Sequence, residues 1–100
     1  MNTKIEKFDD KYLVTLEGEM DTAAANEAEE VLKELYKNEG KEVIFECQDL
    51  EYIASSGLRI LINILKVTMA KGNRVLLRNV NDDIKNVFKL TGFINIFEFE

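Results

Sequence analysis

The sequence contains no histidine and only one cysteine, Cys47. Without histidine or a Cys-x-x-Cys pair, the chain lacks the groups that most often bind transition metals or transfer protons in enzymes. This weighs against an enzyme and predicts a protein that needs no cofactor of its own. A lone cysteine cannot form an internal disulfide, and Cys47 follows the apolar run Val43-Ile44-Phe45, so we expect a buried, reduced thiol in the cytosol.

The sequence also lacks a hydrophobic run long enough to span a membrane. Arg59, Asn63 and Lys66 interrupt its longest apolar stretch, and a spanning helix needs about 20 consecutive apolar residues. The first residues, Met1-Asn2-Thr3-Lys4, have no apolar stretch of the kind that a secretion signal carries. We therefore expect a cytoplasmic protein that does not insert into membranes.

Positive charge is comparatively scarce, since 13 Lys and Arg residues stand against 19 Asp and Glu residues, for a net charge of −6. This balance disfavours nucleic acids and anionic lipid surfaces as partners and favours a basic protein surface. A chain of 100 residues with 46% apolar content can form one compact domain spanning residues 1–100. No linker, repeat or low-complexity segment divides it, and the oligomeric state stays open.

Strand and helix patterns alternate along the chain. Two β-prone segments at 5–8 and 12–17, separated by Asp9-Asp10-Lys11, predict an antiparallel hairpin at the edge of a sheet. Further strands are predicted at 42–47, 74–78 and 93–99, and helices at 22–38, 56–71 and from about 81 to 92. The pattern predicts an α/β fold with a mainly parallel central sheet, an N-terminal antiparallel hairpin and about three to four helices.

The first and last predicted helices have recognisable starts. Asp21 can cap the helix at 22–38, which Gly40 ends, and Asn79 or Asn81 can cap the last helix. The residues expected on their apolar faces are Ala24, Ala28, Val31, Leu32 and Leu35 in the first helix and Ile84, Val87 and Phe88 in the last.

The helix at 56–71 is almost wholly apolar. Arg59, Asn63 and Lys66 form only a narrow polar seam on it. The main stripe consists of Leu58, Leu61, Ile62, Leu65 and Met69, and a second row consists of Ile60, Ile64 and Val67. We expect the protein's own fold to cover the second row, with a docked partner as the alternative.

The junction Ile53-Ala54-Ser55-Ser56-Gly57-Leu58 is the strongest candidate for a functional site. Small residues at a helix start leave backbone N–H groups uncovered, so an anion or a partner's backbone can approach closely. The junction also follows the carboxyl end of a strand, where open α/β sheets form their crevices. The segment Gly18-Glu19-Met20-Asp21 is expected to form a turn that converges on it.

These two segments resemble the STAS family, and specifically its small stand-alone bacterial anti-sigma factor antagonists. The stretch Asp49-Leu50-Glu51-Tyr52-Ile53-Ala54-Ser55-Ser56-Gly57-Leu58 is similar to the strand, the Asp-Ser-Ser-Gly-Leu turn and the apolar helix of that family. The segment Gly18-Glu19-Met20-Asp21 is similar to the family's Gly-x-Leu-Asp turn. The order and separation of the two segments match over nearly the whole chain, although Ala54 stands where the family usually has an aspartate.

The resemblance implies a non-enzymatic switch in bacterial transcription regulation. The unmodified protein would bind an anti-sigma factor that is also a serine kinase, and phosphorylation of Ser56 would release it. Ser55 is the second choice as phosphoacceptor and otherwise a cap or contact residue. The residues implied in partner binding are Asp21, Ala54, Ser55, Ser56, Gly57 and Arg59.

Simpler interpretations stand beside these assignments. Asp21 could serve only as a helix cap, and Ser56 could be ordinary helix-start chemistry. Asp49 is interpreted as a turn residue rather than as part of a binding rim. A serine nucleophile would need a nearby base, and without histidine only a serine–lysine pair stays open.

A rival function is that of an accessory subunit of a membrane ATP-driven lipid transporter. Some small STAS proteins serve in this way without being phosphorylated, and Ala54 fits this alternative slightly better than it fits the phosphorylated switch.

Overall fold

The computed structural model describes all residues from 1 to 100. It contains six strands, three α-helices and one 3₁₀ helix. In chain order the elements are β1 (Asn2–Lys7), β2 (Lys11–Met20), α1 (Thr22–Leu32), the 3₁₀ helix (Lys33–Lys37), β3 (Glu42–Glu46), β4 (Leu50–Ile53), α2 (Ser55–Ala70), β5 (Val75–Arg78), α3 (Asp82–Leu90) and β6 (Glu98–Phe99).

The strands form a mixed sheet in the order β1-β2-β3-β5-β6, in which β4 pairs with the end of β2. Strands β1 and β2 are antiparallel, and every other pair is parallel. The predicted fold class and the predicted hairpin at the sheet edge are confirmed. Strand β3 lies between β2 and β5, as its short apolar run indicates for an interior parallel strand.

The three α-helices lie on one face of the sheet. Each crossover, from β2 to β3, from β3 to β5 and from β5 to β6, steps in the same direction across the sheet, and right-handed crossovers then place their helices on the same side. Alternate strand residues such as Val43, Phe45 and Leu77 join the hydrophobic core with the helices. Their neighbours Ile44 and Leu76 point to the opposite, helix-free face.

Charged side chains cover that helix-free face. Arg74 forms salt bridges with Glu42 on β3 and Glu98 on β6, and Arg78 pairs with Glu100 at 2.9 Å. These ion pairs raise the pKa of Arg74, chiefly through its hydrogen bond to Glu42. The stems of such long side chains shield the apolar row beneath, which explains why Ile44 is buried without a helix above it.

Helix α1 is shorter than predicted. It ends at Leu32, and the chain continues as the 3₁₀ helix to Lys37. The buried face comprises Ala25, Ala28, Leu32 and Leu35. The predicted face was therefore wrong at Val31, which is 45% exposed, and at Ala24, which is half-buried. The predicted Ala28, Leu32 and Leu35 are buried, and Ala25 takes the place of Ala24 because it continues their spacing of three and four.

Helix α2 runs almost as predicted, and the protein's own fold covers its second apolar row. Ile60 and Ile64 are buried and Val67 is half-buried, and both α1 and the 3₁₀ helix pack against α2. In the main stripe Leu58, Leu61 and Leu65 are buried. The prediction was wrong for Met69, which is 60% exposed at the end of the stripe, where Thr68 faces the interior instead.

Near the C-terminus one prediction needs correction and one open alternative is resolved. Only Glu98–Phe99 of the predicted strand at 93–99 is extended, since the preceding residues turn and place Phe97 edge-on against Phe88, with ring centroids 5.4 Å apart. Asn81 rather than Asn79 caps α3, accepting a hydrogen bond from the Ile84 amide at 2.8 Å. In the segment before β6, burying aromatic rings such as Phe97 contributes more to stability than a longer edge strand would.

Cys47 is buried, as predicted, with 2% of its surface exposed. Desolvation, followed by the neighbouring Glu46 carboxylate, raises the pKa of its thiol to about 12. The protonated, unreactive form is therefore strongly favoured in the folded protein.

Candidate functional site

The candidate site is built where β2 and β4 end side by side and the two long helices begin. The amide of Ala54 donates a hydrogen bond of 2.8 Å to the carbonyl of Met20. Just beyond these residues, α1 begins at Thr22 and α2 begins at Ser55. The predicted convergence of the two segments is confirmed.

The Gly18-Glu19-Met20 segment is part of β2 and not a turn after it. The register between β2 and β4 shifts between Gly18 and Glu19, and Gly18 has a φ of +98°, which is costly for other residues. Its amide donates a hydrogen bond of 2.8 Å to the carbonyl of Asp49. This β-bulge redirects β2 toward β4, and Asp49 lies in the turn before β4, as predicted.

Asp21 caps α1. Its carboxylate accepts a hydrogen bond from the Ala24 amide at 2.8 Å, and its backbone is extended, as an N-cap requires. The side chain is exposed, so a second oxygen is accessible from solvent. The capping interpretation of Asp21 is confirmed, and its part in partner binding stays a prediction.

Neither serine caps α2. The N-cap residue is Ala54, with φ −82° and ψ 166°, and no side chain accepts a hydrogen bond from the first turn. Interpreting Ser56 or Ser55 as the ordinary cap of this helix was therefore wrong. The first turn also contains no acidic residue, so the positive end of the helix dipole is not offset there.

The two serines differ in exposure. Ser55 is exposed, whereas Ser56 is half-buried, and the Ser56 hydroxyl lies 3.5 Å from the Thr22 hydroxyl of α1, to which it donates. Ser56 thus faces the seam between the two helices and remains accessible from outside. Both serines lie within the first turn of α2.

Gly57 anchors this turn to the core. It is buried, and a Cβ atom built on it would lie 2.9 Å from Cγ1 of Ile53 and 3.0 Å from Sδ of Met20. The absence of a side chain lets α2 begin directly against β2 and β4. Gly57 therefore positions the serines instead of presenting a surface of its own.

Ser56 opens into a polar groove of about 270 Å³ between α1 and α2. Arg59 and Asn63 of the predicted polar seam lie in it, together with Glu29, whose carboxylate accepts a hydrogen bond from the Tyr36 hydroxyl at 2.9 Å. Burial, and then this contact with Glu29, raise the pKa of Tyr36 to about 12. The lining residues are Asn26, Glu29, Ser56, Arg59, Ile60 and Asn63.

Sequence reasoning missed the α1 side of this groove. Thr22, Asn26 and Glu29 follow one another at spacings of four and three, a polar stripe that would face a neighbouring helix. The matching stripe on α2 contains Ser56 and Asn63. Recognising both stripes together would have predicted a polar seam between the helices.

The groove contains no lysine that could activate a serine. Histidine, cysteine and carboxylate side chains nowhere gather in a group that could hold a metal ion. None of the helices combines the length and the apolar character that a membrane-spanning segment requires.

Comparison with known proteins identifies related sequences and folds. The sequence profile of the STAS domain matches residues 2–100. An anti-sigma-B factor antagonist of Staphylococcus aureus is 29% identical over 94 residues, which cover 92% of this chain and 87% of the relative.

Two solved structures have the same fold. The Bacillus cell fate determinant SpoIIAA in its phosphorylated form superimposes with a TM-score of 0.76 and 18% identity, covering 99% of this chain and 91% of that one. An anti-sigma factor antagonist of Mycobacterium paratuberculosis gives a TM-score of 0.80 and 22% identity, covering 98% of this chain and 83% of that one.

Proposed function

Because this chain belongs to the STAS domain family, we propose that it is an anti-sigma factor antagonist, a non-enzymatic regulator that acts by binding an anti-sigma factor. A relative with this function is 29% identical over nearly the whole chain. The proposal has a finer part, in which the partner is also a serine kinase and phosphorylation of Ser56 ends the complex. The protein would then act in the cytoplasm, where sigma factors work.

The position of Ser56 carries the finer part of the proposal. Its hydroxyl lies at the uncapped start of α2, half-buried but open to a groove. It is therefore held in a fixed place and can still be reached by another protein. A fully buried serine could not be modified in the folded state, and a capping serine would already have its oxygen engaged.

The fold can tolerate a phosphate at this position. A phosphoserine carries about −1.5 to −2 charges at pH 7, and the start of a helix favours negative charge through its dipole and free N–H groups. Arg59 lies one turn further along α2, lines the same groove and forms no salt bridge within the chain. Its guanidinium could pair with the phosphate.

A partner protein docked on the same turn could not tolerate the phosphate. The interface would have to bury a dianion, and leaving a buried charge unpaired costs about 3–5 kcal/mol. Binding would be lost while folding is kept, which is the behaviour of a switch. In this interface Asp21, Ala54, Ser55 and Arg59 contact the partner, and Gly57 holds the turn in place.

Phosphorylation is tested by incubating the protein with its anti-sigma kinase and Mg-ATP, followed by mass spectrometry. We expect one phosphate on Ser56, none on the Ser56→Ala variant, and full modification of the matched Ser55→Ala variant. Modification of Ser55 alone would identify Ser55 instead of Ser56 as the phosphoacceptor. An unmodified protein that also forms no complex with the kinase would refute the proposal.

Binding gives an independent test. Wild type and Ser56→Ala should bind the anti-sigma factor equally, whereas Ser56→Asp should bind at least about tenfold more weakly, because its carboxylate would be buried in the interface. Equal affinity for all three proteins would remove the switch but leave the antagonist function standing.

Ala54 favours a second candidate, the accessory subunit of a membrane ATP-driven lipid transporter that is not phosphorylated. Ala54 gives neither a cap nor a carboxylate beside the serine, so the site differs from the phosphorylated members of the family. Affinity purification from the native cell discriminates between the two candidates. A transporter ATPase in the complex would support the accessory subunit, and an anti-sigma kinase would support the antagonist.

A further inference from the structure

Strand β1 forms one edge of the sheet and pairs only with β2. The hairpin bond from the Phe8 amide to the Lys11 carbonyl, at 2.8 Å, fixes which β1 residues bond inward. Because hydrogen-bonded and non-bonded pairs alternate in an antiparallel ladder, the even-numbered residues of β1 bond to β2. Thr3, Ile5 and Lys7 therefore direct their N–H and C=O groups away from the sheet.

The side chains of β1 carry a charge pattern that is complementary to itself. Lys4 and Glu6 lie on the helix-free face, form a salt bridge at 3.3 Å and are 69% and 42% exposed. Ile5, between them, points to the helix side and packs against the core. The segment therefore has a positive charge before Ile5 and a negative charge after it, so two antiparallel copies place opposite charges side by side.

We propose that β1 pairs with β1 of a second copy of this chain, antiparallel and with its two-fold axis at Ile5. The outward N–H and C=O groups of Ile5 then bond to those of Ile5 in the other copy, and Thr3 bonds to Lys7. Lys4 of each copy lies directly opposite Glu6 of the other, in the non-hydrogen-bonded pairs where cross-strand side chains are closest.

The charges disfavour the two neighbouring registers. Moving the axis by one residue toward the N-terminus would place Lys4 opposite Lys4, and moving it by one residue toward the C-terminus would place Glu6 opposite Glu6. Like charges directly opposite each other destabilise a strand pair. Charged residues commonly protect a sheet edge from pairing, but here Lys4 and Glu6 oppose those two registers and favour the one with its axis at Ile5.

The helix side of the same edge has apolar surface for the second copy to shield. Met1 and Val31 are 44% and 45% exposed and line a groove of about 160 Å³ between β1 and α1. The edge on which they lie is separated by α1 from the groove that contains Ser56. A dimer would therefore leave both copies of the candidate site accessible, and it does not depend on the proposed function.

Analytical ultracentrifugation of the full chain tests the pairing. Pairing one short strand from each copy makes a small interface, and small interfaces are weak, so we expect the mass to rise from 11.5 kDa toward twice that value as the concentration approaches about 1 mM. Lys4→Glu places a carboxylate opposite Glu6 of the other copy, and Glu6→Lys places an ammonium group opposite its Lys4. Each variant alone should remain at 11.5 kDa, with a circular dichroism spectrum that matches wild type.

Mixing the two variants provides the decisive control. The two carboxylates on β1 of the Lys4→Glu chain then face the two ammonium groups on β1 of the Glu6→Lys chain, so the mixture should form a heterodimer although neither variant associates alone. The double variant carrying both substitutions should also regain self-association. A wild type that stays monomeric at about 1 mM, or single variants that associate like wild type, would overturn the proposal.

Discussion

The amide of Ala54 and the carbonyl of Met20 join the ends of β4 and β2 through a hydrogen bond of 2.8 Å. This bond places the starts of α1 and α2 next to each other, and the groove that contains Ser56 lies between them. The geometry of the candidate site is therefore set by backbone pairing and not by contacts among its polar side chains.

Gly57 has no room for a side chain, so Gly57→Ala should destabilise the protein by about 1–3 kcal/mol through overpacking. Urea unfolding followed by far-UV circular dichroism measures this change, as the chain has no tryptophan. The added methyl group meets both Ile53 and Met20, so Gly57→Ala should cost less, but still cost something, in a Met20→Ala background that keeps Ile53. If Gly57→Ala lowered the free energy of unfolding equally in both backgrounds, the contact with Met20 would be contradicted.

Asp21→Ala should lower the free energy of unfolding by about 0.5–2 kcal/mol, because it removes the cap of α1. Asp21→Asn is the matched control, since asparagine caps as well as aspartate does, and its stability should remain near wild type. If Asp21→Asn nevertheless weakens binding to the anti-sigma factor, the carboxylate itself contacts the partner. Loss of stability in both variants would show that the negative charge of Asp21 stabilises α1 more than its capping hydrogen bond does.

Ala54→Asp should stabilise the protein by about 0.5–1 kcal/mol, since it supplies the missing cap of α2 and a negative charge at its positive end. Ala54→Asn supplies the cap without the charge and should give a smaller gain. The difference between the two variants should shrink at high salt. Urea unfolding at low and high ionic strength checks both expectations, and an Ala54→Asp variant less stable than wild type would contradict them.

Alkaline pH should destabilise the protein through Cys47. Burial raises the pKa of its thiol from 9.0 to about 12, so between these values the unfolded chain has lost a proton that the native state keeps. The stabilisation is complete below pH 9.0 and disappears as the pH rises toward about 12. Cys47→Ala should flatten this pH dependence, and the native thiol should not react with a thiol-specific reagent until the protein is unfolded.

Tyr36 adds to the same alkaline loss, because its pKa is raised from 10.0 to about 12. Its smaller burial makes its part the weaker one, and Tyr36→Phe separates it from that of Cys47. If Tyr36→Phe alone abolished the alkaline loss, the thiol would not be its main source. The free energy of unfolding measured across this pH range decides between them.

Local chemistry explains why part of the fold was predictable from the sequence. The hairpin turn, the Asp21 cap and the Asn81 cap each depend on residues within three or four positions of one another. Strand β3 was also predictable, because its central residues form an apolar run that no polar residue interrupts. These features need no knowledge of distant contacts.

Tertiary contacts explain what sequence reasoning missed. The strand expected before the junction was predicted without bounds of its own, because Glu51 and Tyr52 of β4 are exposed and pairing with the bulged end of β2 is what makes this segment a strand. Ala54 was not recognised as an N-cap because alanine is a poor capping residue. On α1 the prediction chose Ala24 instead of Ala25, because the neighbouring sheet and α2 decide which of several adjacent alanines is buried.

Because Gly57 seats the first turn of α2 on Ile53 and Met20, the location of the Ser56 hydroxyl is determined from beneath. Exposed side chains such as Ser55 and Tyr52 make none of these contacts beneath the turn. In the proposed switch, the residues that position the Ser56 hydroxyl and the residues that would contact a partner therefore form separate sets, and each set can diverge independently.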